Sequence, residues 1–224
     1  MKLRLYIWVT SDCNLNCPFC SQKDTRKDFS GYQMSIDEVK YIVNSCKKRN
    51  IYFDIIEITG GEATLWKNII KGVQLFKQIA DVITLVTNGN NPELVYSLDL
   101  PYWVVSQYQA TAENIEKHLE LGGDRVIINE AKHKRPPEQP FENVLPADCC
   151  VRLNHFKEDQ QVMEYLRGKV YYCCDAYAYS KKAGLDKSIV CDFREDFILK
   201  FSNKKYDKEI CKYCLCNTNV WNQL

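Results

Sequence analysis

Cys13-Asn14-Leu15-Asn16-Cys17-Pro18-Phe19-Cys20 directly follows an apolar run from Leu3 to Val9. Together the two stretches set the first strand and the chemistry at its end. Three thiols at C-x3-C-x2-C spacing share one short loop. A cubane of four irons takes four cysteine thiolates, so a loop offering three can wrap one face of such a cluster and leave the fourth iron open to a small molecule. A structural zinc loop needs a fourth ligand close by, and the next cysteine is Cys46.

A second motif closes the next apolar run. Ile55-Ile56-Glu57-Ile58-Thr59-Gly60-Gly61-Glu62 reads as a buried strand of branched residues stopped by two glycines and an acid. Glycines let the backbone approach a ligand closely, and a carboxylate at a strand tip can accept a hydrogen bond from an ammonium.

Outward from these motifs the chain alternates strand and helix, which predicts a parallel α/β core. Strands are expected at Leu3–Val9, Ile51–Thr59, Val82–Thr87, Trp103–Ser106, Arg125–Asn129 and Cys149–Leu153, six in all and enough for a partial (β/α)6 barrel. Ser35 is a predicted N-cap for a helix with Ile36, Val39, Ile42, Val43 and Cys46 on one face, which makes Cys46 a core residue. A helix over Lys67–Ala80 is expected to bury Ile69, Ile70, Val73, Phe76 and Ile79, and a shorter one spans Asn114–Leu121. A parallel barrel gathers ligand-binding residues at the carboxyl ends of its strands. Those ends carry Cys13–Cys20, Gly60–Glu62, Asn88 and Gly89, Ser106 and Gln107, Asn129 and Glu130, and Arg152 and Asn154.

The C-x3-C-x-aromatic-C pattern, with Phe19 as the aromatic, resembles the signature of the radical S-adenosylmethionine (radical SAM) enzymes. The resemblance implies that Cys13, Cys17 and Cys20 hold a catalytic 4Fe-4S cluster whose free iron chelates the methionine end of SAM. One electron then cleaves the sulfonium to a 5'-deoxyadenosyl radical, the cofactor supplying the hard chemistry and the protein the aim. Gly60-Gly61-Glu62 resembles the family motif that grips the SAM amino group, and Asn88 and Ser106 match positions that often face SAM or substrate.

Farther on, Cys173 is followed by Gly184, Cys191, Cys211 and Cys214 as C-x10-G-x6-C, then nineteen residues, then C-x2-C. This resembles the twitch domain, the short form of the SPASM extension, which implies a second, auxiliary 4Fe-4S cluster on Cys173, Cys191, Cys211 and Cys214. The loop after Gly184 is longer than usual, Cys174 and Cys216 can substitute for neighbours, and two cysteine pairs suit tetrahedral zinc equally well. The expected division is a radical SAM partial barrel at 1–168 and a cysteine-rich twitch-like domain at 169–224.

Composition restricts the partners. Of 224 residues, 30 are basic and 29 acidic, so no bulk charge draws the chain to nucleic acid or membrane. No apolar run reaches the roughly 20 residues of a membrane span. Met1-Lys2-Leu3-Arg4 enters a strand directly, with the cytoplasm the expected location, and there the twelve cysteines suit metal ligation better than disulfides. The expected function is an oxidoreductase that abstracts hydrogen from a carbon of a small-molecule or peptide substrate, with a flavodoxin- or ferredoxin-like electron donor and an auxiliary cluster that takes up an electron or positions substrate. The alternatives are a peptide-modifying maturase, an epimerase with a thiol such as Cys149 or Cys150 as hydrogen donor, a non-catalytic iron-sulfur electron carrier, and a zinc-binding interaction module. Changing Glu62→Ala is expected to weaken SAM binding in an enzyme and to leave a carrier untouched.

Overall fold

The first strand, β1 (Lys2–Thr10), is the centre of the sheet. Its odd residues Leu3, Leu5, Ile7 and Val9 join the main hydrophobic core, and its even residues Arg4, Trp8 and Thr10 are buried on the opposite face. Burial on both faces explains why the run reads as nearly continuous apolar sequence. The computed structural model describes residues 2–17, 20, 22–107, 111–129, 160–172, 177 and 190–202.

Four more parallel strands follow on one side of β1: β2 (Phe53–Gly60), β3 (Ala80–Thr87), β4 (Trp103–Ser106) and β5 (Val126–Asn129). A sixth parallel strand, β6 (Gln160–Leu166), pairs with the free edge of β1, Leu5 opposite Met163. Two antiparallel strands, β7 (Lys169–Tyr172) and β8 (Val190–Asp192), continue beyond it, giving the order β5-β4-β3-β2-β1-β6-β7-β8. The parallel α/β core expected from the sequence is present, and residue 168 lies in the turn of the β6–β7 hairpin. The expected strand Cys149–Leu153 lies outside the described residues.

Between strands run α1 (Lys23–Asp28), α2 (Ile36–Lys48), α3 (Ile69–Phe76), α4 (Pro92–Ser97), α5 (Ala112–Gly122) and, after β8, α6 (Phe197–Ser202). Ser35 caps α2 as expected, its Oγ accepting the Glu38 N–H at 3.1 Å. Val39, Ile42, Val43 and Cys46 point into the core, where burial pushes the Cys46 thiol up to about 12. The helix expected over Lys67–Ala80 is shorter. It stops at Phe76, and Ala80 opens β3 opposite Phe53, because the strand pairing outweighs a helical period that Ile79 would have continued. Ile70, expected inside, is 55% exposed. Gly72 gives room for the Trp66 ring, whose Cζ2 would lie 3.1 Å from any added Cβ. Trp66 in turn donates its indole N–H to the Met34 carbonyl at 2.7 Å.

Candidate cluster and cofactor site

The thiol loop leaves β1 at Thr10, and the end of β2 crosses it at backbone distance. The Gly61 N–H donates to the Thr10 carbonyl and the Glu62 N–H to the Asp12 carbonyl, each at 2.7 Å. A Cβ on Gly60 would stand 3.1 Å from Thr10 N and closer still to Thr10 O, and Gly60 has φ +145°, a conformation that disfavours side chains. A Cβ on Gly61 would stand 2.8 Å from Ser11 O. The close approach expected of the two glycines is made here to the root of the cysteine loop itself.

Glu62 is 1% exposed and serves as a hub. Its Oε1 accepts from Thr64 N at 3.1 Å, Thr64 Oγ1 at 2.7 Å and Thr87 Oγ1 at 2.7 Å, and its Oε2 accepts from Asn88 N at 2.7 Å. Burial pushes the carboxyl pKa up, while these donors pull it back. The carboxylate thereby ties the end of β2 to the end of β3.

Beyond β3 the Thr87-Asn88-Gly89 turn reaches the cysteine loop. Asn88 Nδ2 donates to Asn14 Oδ1 at 2.8 Å and lies 3.8 Å from Cys13 Sγ. Asn14 and Asn90 share a longer contact at 3.4 Å, and Asn90 Nδ2 reaches Thr64 Oγ1 at 3.1 Å. Ser106 closes β4 opposite Asn129 and is 9% exposed. The carboxyl ends of β1 to β4 therefore place Cys13, Gly60–Glu62, Asn88 and Ser106 along one rim of the sheet, as the sequence predicts. Phe19 lies outside the described residues.

Cys13, Cys17 and Cys20 are each half-buried. Burial pushes the Cys17 thiol up, and the neighbouring Cys20 and Cys13 thiols add to the effect. Burial also raises Cys20, opposed by the Gln22 backbone N–H and the Arg26 guanidinium. Metal binding reverses such shifts by taking the thiolate form. Among the described residues no three His, Cys, Asp or Glu side chains converge as ligands of one ion. Three neighbouring thiols on a single loop, with Cys13 accepting N–H donors from Leu15 at 3.5 Å and from Asn88, fit a thiolate-bound iron-sulfur cluster.

Several supports of the site escape sequence reasoning. Arg26 of α1 straps the loop through Ser11 O at 3.2 Å and Leu15 O at 3.4 Å. Gln33 donates to Thr10 Oγ1 at 2.8 Å and Asp12 Oδ2 at 2.6 Å, and pairs with Thr10 in an isolated bridge. Beside the loop lies an open cleft of about 490 Å³ bordered by Asp12, Cys13, Asn16, Lys23, Arg26, Lys27 and Leu65.

Of the second cysteine set, Cys191 sits in β8 opposite Val170, 3% exposed and packed in the main core. Cys173, Cys174, Cys211, Cys214 and Cys216 lie outside the described residues. Tyr171 and Tyr177 meet edge to face at 5.7 Å, and Tyr177 meets Phe29 at 5.1 Å. Among the described residues no helix is long and apolar enough to cross a membrane.

Comparison with known proteins agrees with this geometry. A "Probable GTP 3',8-cyclase" from Thermoplasma volcanium is 35% identical over 98 residues, covering 43% of this chain and 29% of that protein. The chain thus spans less than a third of the length of that curated relative. Among solved structures, BtrN in complex with AdoMet and 2-DOIA superposes with a TM-score of 0.62 at 16% identity, covering 98% of this chain and 94% of the other. Native anSMEcpe with bound AdoMet superposes with a TM-score of 0.58 at 15% identity, covering 95% and 84%. The Radical SAM superfamily pattern matches residues 7–129, more than half of the chain and the span that holds the three thiols, the two glycines and Glu62. The chain belongs to the radical SAM superfamily of enzymes, and that membership implies a 4Fe-4S cluster and S-adenosylmethionine as cofactors.

Proposed function

We propose that this protein is a radical SAM oxidoreductase that abstracts hydrogen from a carbon of its substrate. The observation that carries the reading is the junction at the rim of the sheet, where Gly61 and Glu62 hydrogen-bond to the backbone of the cysteine loop and Asn88 reaches Cys13. Cys13, Cys17 and Cys20 hold the 4Fe-4S cluster, and Gly60–Glu62, Asn88, Ser106 and Phe19 border the SAM site. The bound cofactors supply the one-electron cleavage of SAM and the 5'-deoxyadenosyl radical. The residues themselves fix positions: Glu62 locks the ends of β2 and β3 together, and Arg26 and Gln33 hold the loop that presents the thiols.

The substrate is a small molecule or a peptide, a reading supported by the near full-length superpositions on BtrN with 2-DOIA and on anSMEcpe with Cp18Cys peptide. The cyclase relative overlaps only the cofactor-binding part, so its substrate does not carry over. An auxiliary cluster on Cys173 or Cys174, Cys191, Cys211 and Cys214 or Cys216 fits a reaction that must dispose of an electron from a substrate radical. A flavodoxin- or ferredoxin-like protein in the cytoplasm supplies the first electron.

Because Glu62 is a hub of the fold, its replacement would disturb a catalyst and an electron carrier alike, so SAM cleavage is the discriminating assay. Anaerobic reconstitution followed by iron and sulfide analysis, then incubation with SAM and dithionite, is expected to give about eight irons per chain and release of 5'-deoxyadenosine. About four irons with cleavage removes the auxiliary cluster. Full iron loading without 5'-deoxyadenosine overturns the enzyme reading in favour of an electron carrier.

A further inference from the structure

The side-chain amide of Asn88 is held in a single orientation. Its Oδ1 accepts the Asn90 N–H at 3.1 Å, which assigns the oxygen and nitrogen ends of the amide. The nitrogen end then faces Asn14 Oδ1 and Cys13 Sγ. The residue is 7% exposed, and its backbone is fixed at both poles: N–H to Glu62 Oε2 at 2.7 Å, carbonyl from Thr111 Oγ1 at 2.6 Å. An amide nitrogen carries two protons, one for each of its two acceptors.

The Cys13 sulfur thus receives two N–H donors, Leu15 from its own loop and Asn88 from the end of β3. The Leu15 contact is local and follows from the loop's conformation. The Asn88 contact spans 75 residues of sequence and exists only because Glu62 and Thr111 place the turn. Hydrogen bonds to a cluster's sulfur ligands favour its more negative, reduced form and so help set its reduction potential.

We propose that Asn88 is a positioning residue for the Cys13 thiolate, and that its amide donor raises the reduction potential of the cluster which Cys13 helps to hold. The inference rests on the reading above that Cys13, Cys17 and Cys20 bind iron. It gives Asn88 a role toward the cysteine in addition to its place at the border of the SAM site.

Two variants of the full chain test it. Asn88→Asp keeps the side chain's size and an acceptor for the Asn90 N–H but replaces the donor by a charged oxygen. Asn88→Ser shortens the side chain and adds no charge. In an EPR-monitored redox titration of reconstituted protein, the reduced-to-oxidised ratio at a fixed poise is expected to fall about fivefold in Asn88→Ser, the loss of one ordinary hydrogen bond, and further in Asn88→Asp. Loss of iron from Asn88→Asp with an unchanged thermal transition also supports the proposal, since a carboxylate repels the thiolate. Iron-loaded variants titrating at the wild-type potential overturn it, whether or not they melt earlier, because a merely structural role leaves the potential in place. A wild-type chain that takes up no iron overturns the cluster reading and this inference with it, whereas an iron-loaded wild type with unshifted variants overturns this inference alone.

Discussion

At the carboxyl ends of β1, β2 and β3 the chain is held by hydrogen bonds converging on a few polar atoms. On the other side of β1, the added strands β6 to β8 are held by rings. Glu62 alone takes four donors from Thr64, Thr87 and Asn88. By contrast Phe193, just after β8, stacks on Phe197 at 5.4 Å, meets Tyr165 edge to face at 5.3 Å and Tyr41 at 6.1 Å, and lies under the Arg49 guanidinium at 4.8 Å. Hydrogen bonds are directional and weaken steeply as the donor turns away from its acceptor. Apolar contact is non-directional and scales with area. The rim is therefore specified atom by atom, whereas the added strands are specified by volume.

Substitutions on the two sides should separate stability from iron binding. The largest effect is expected on the aromatic side. Phe193→Ala removes a ring that is 1% exposed and leaves a cavity among Tyr165, Phe197 and Tyr41, at a cost of about 3–5 kcal/mol measured by urea unfolding. The iron held by Cys13, Cys17 and Cys20 in the folded chain, read as SAM-dependent release of 5'-deoxyadenosine, should stay at the wild-type value, because Phe193 touches none of the groups that position these three cysteines. Parallel loss of that release from the folded fraction would show that the two regions are coupled.

Gly61→Ala should be next, with the opposite signature. The new methyl group meets the backbone of Ser11 and Asp12, which cannot turn away as a side chain can. Overpacking of this kind costs about 1–3 kcal/mol, less than the lost ring. The strain falls on the two hydrogen bonds that dock the cysteine loop, so iron uptake on reconstitution should drop by at least about tenfold, the scale seen when metal-ligand supports are lost. Wild-type iron content in a destabilised Gly61→Ala chain would break the contrast.

The same contrast explains what the sequence made legible. The strands β1 to β5 are apolar runs ended by Gly, Asn or Ser, and the cap of α2 is a local signal, so both were readable from composition and period. Cys13, Cys17, Cys20, Gly60–Glu62 and Asn88 stood out because their chemistry is unusual for a strand end. Features set by distant partners were hidden. Ile79 continues a helical period, yet β3 begins one residue later because Phe53 requires a partner. Helix α1 has six residues, too few to show a period, so the loop strap from Arg26 was invisible. Gln33 works by reaching Thr10 and Asp12 from more than twenty residues away, and nothing in its neighbourhood announces that. Which edge of the sheet takes β6 is likewise a question of pairing, answered by β1 and not by the strand's own residues.

The smallest effect is electrostatic and belongs to the added strands. Asp192, the last residue of β8, accepts from Arg194 N at 2.9 Å, from the Arg194 guanidinium at 2.9 and 3.0 Å, and from Lys169 Nζ at 3.3 Å across the hairpin. Hydrogen bonds from Arg194, with smaller help from Lys169, hold its pKa well below the usual carboxylate range. A folded-state pKa below the unfolded value means that the unfolded chain binds the proton more tightly. The stabilisation is therefore complete above the unfolded pKa of about 3.9, and it is lost as pH falls through the folded value. Arg194 is largely exposed, its side chain at 77%, so screening limits the contribution to about 0.5 kcal/mol. Asp192→Asn should lower stability by that amount at neutral pH, and the difference from wild type should shrink as the pH is taken below about 4. Urea unfolding at pH 7 and at pH 3 compares the full stabilisation with one from which part has been lost. A gap that persists undiminished at low pH would mean that Asp192 acts through the backbone turn it caps at Arg194 and not through its charge, and would place this corner of the added strands under the directional control that characterises the rim.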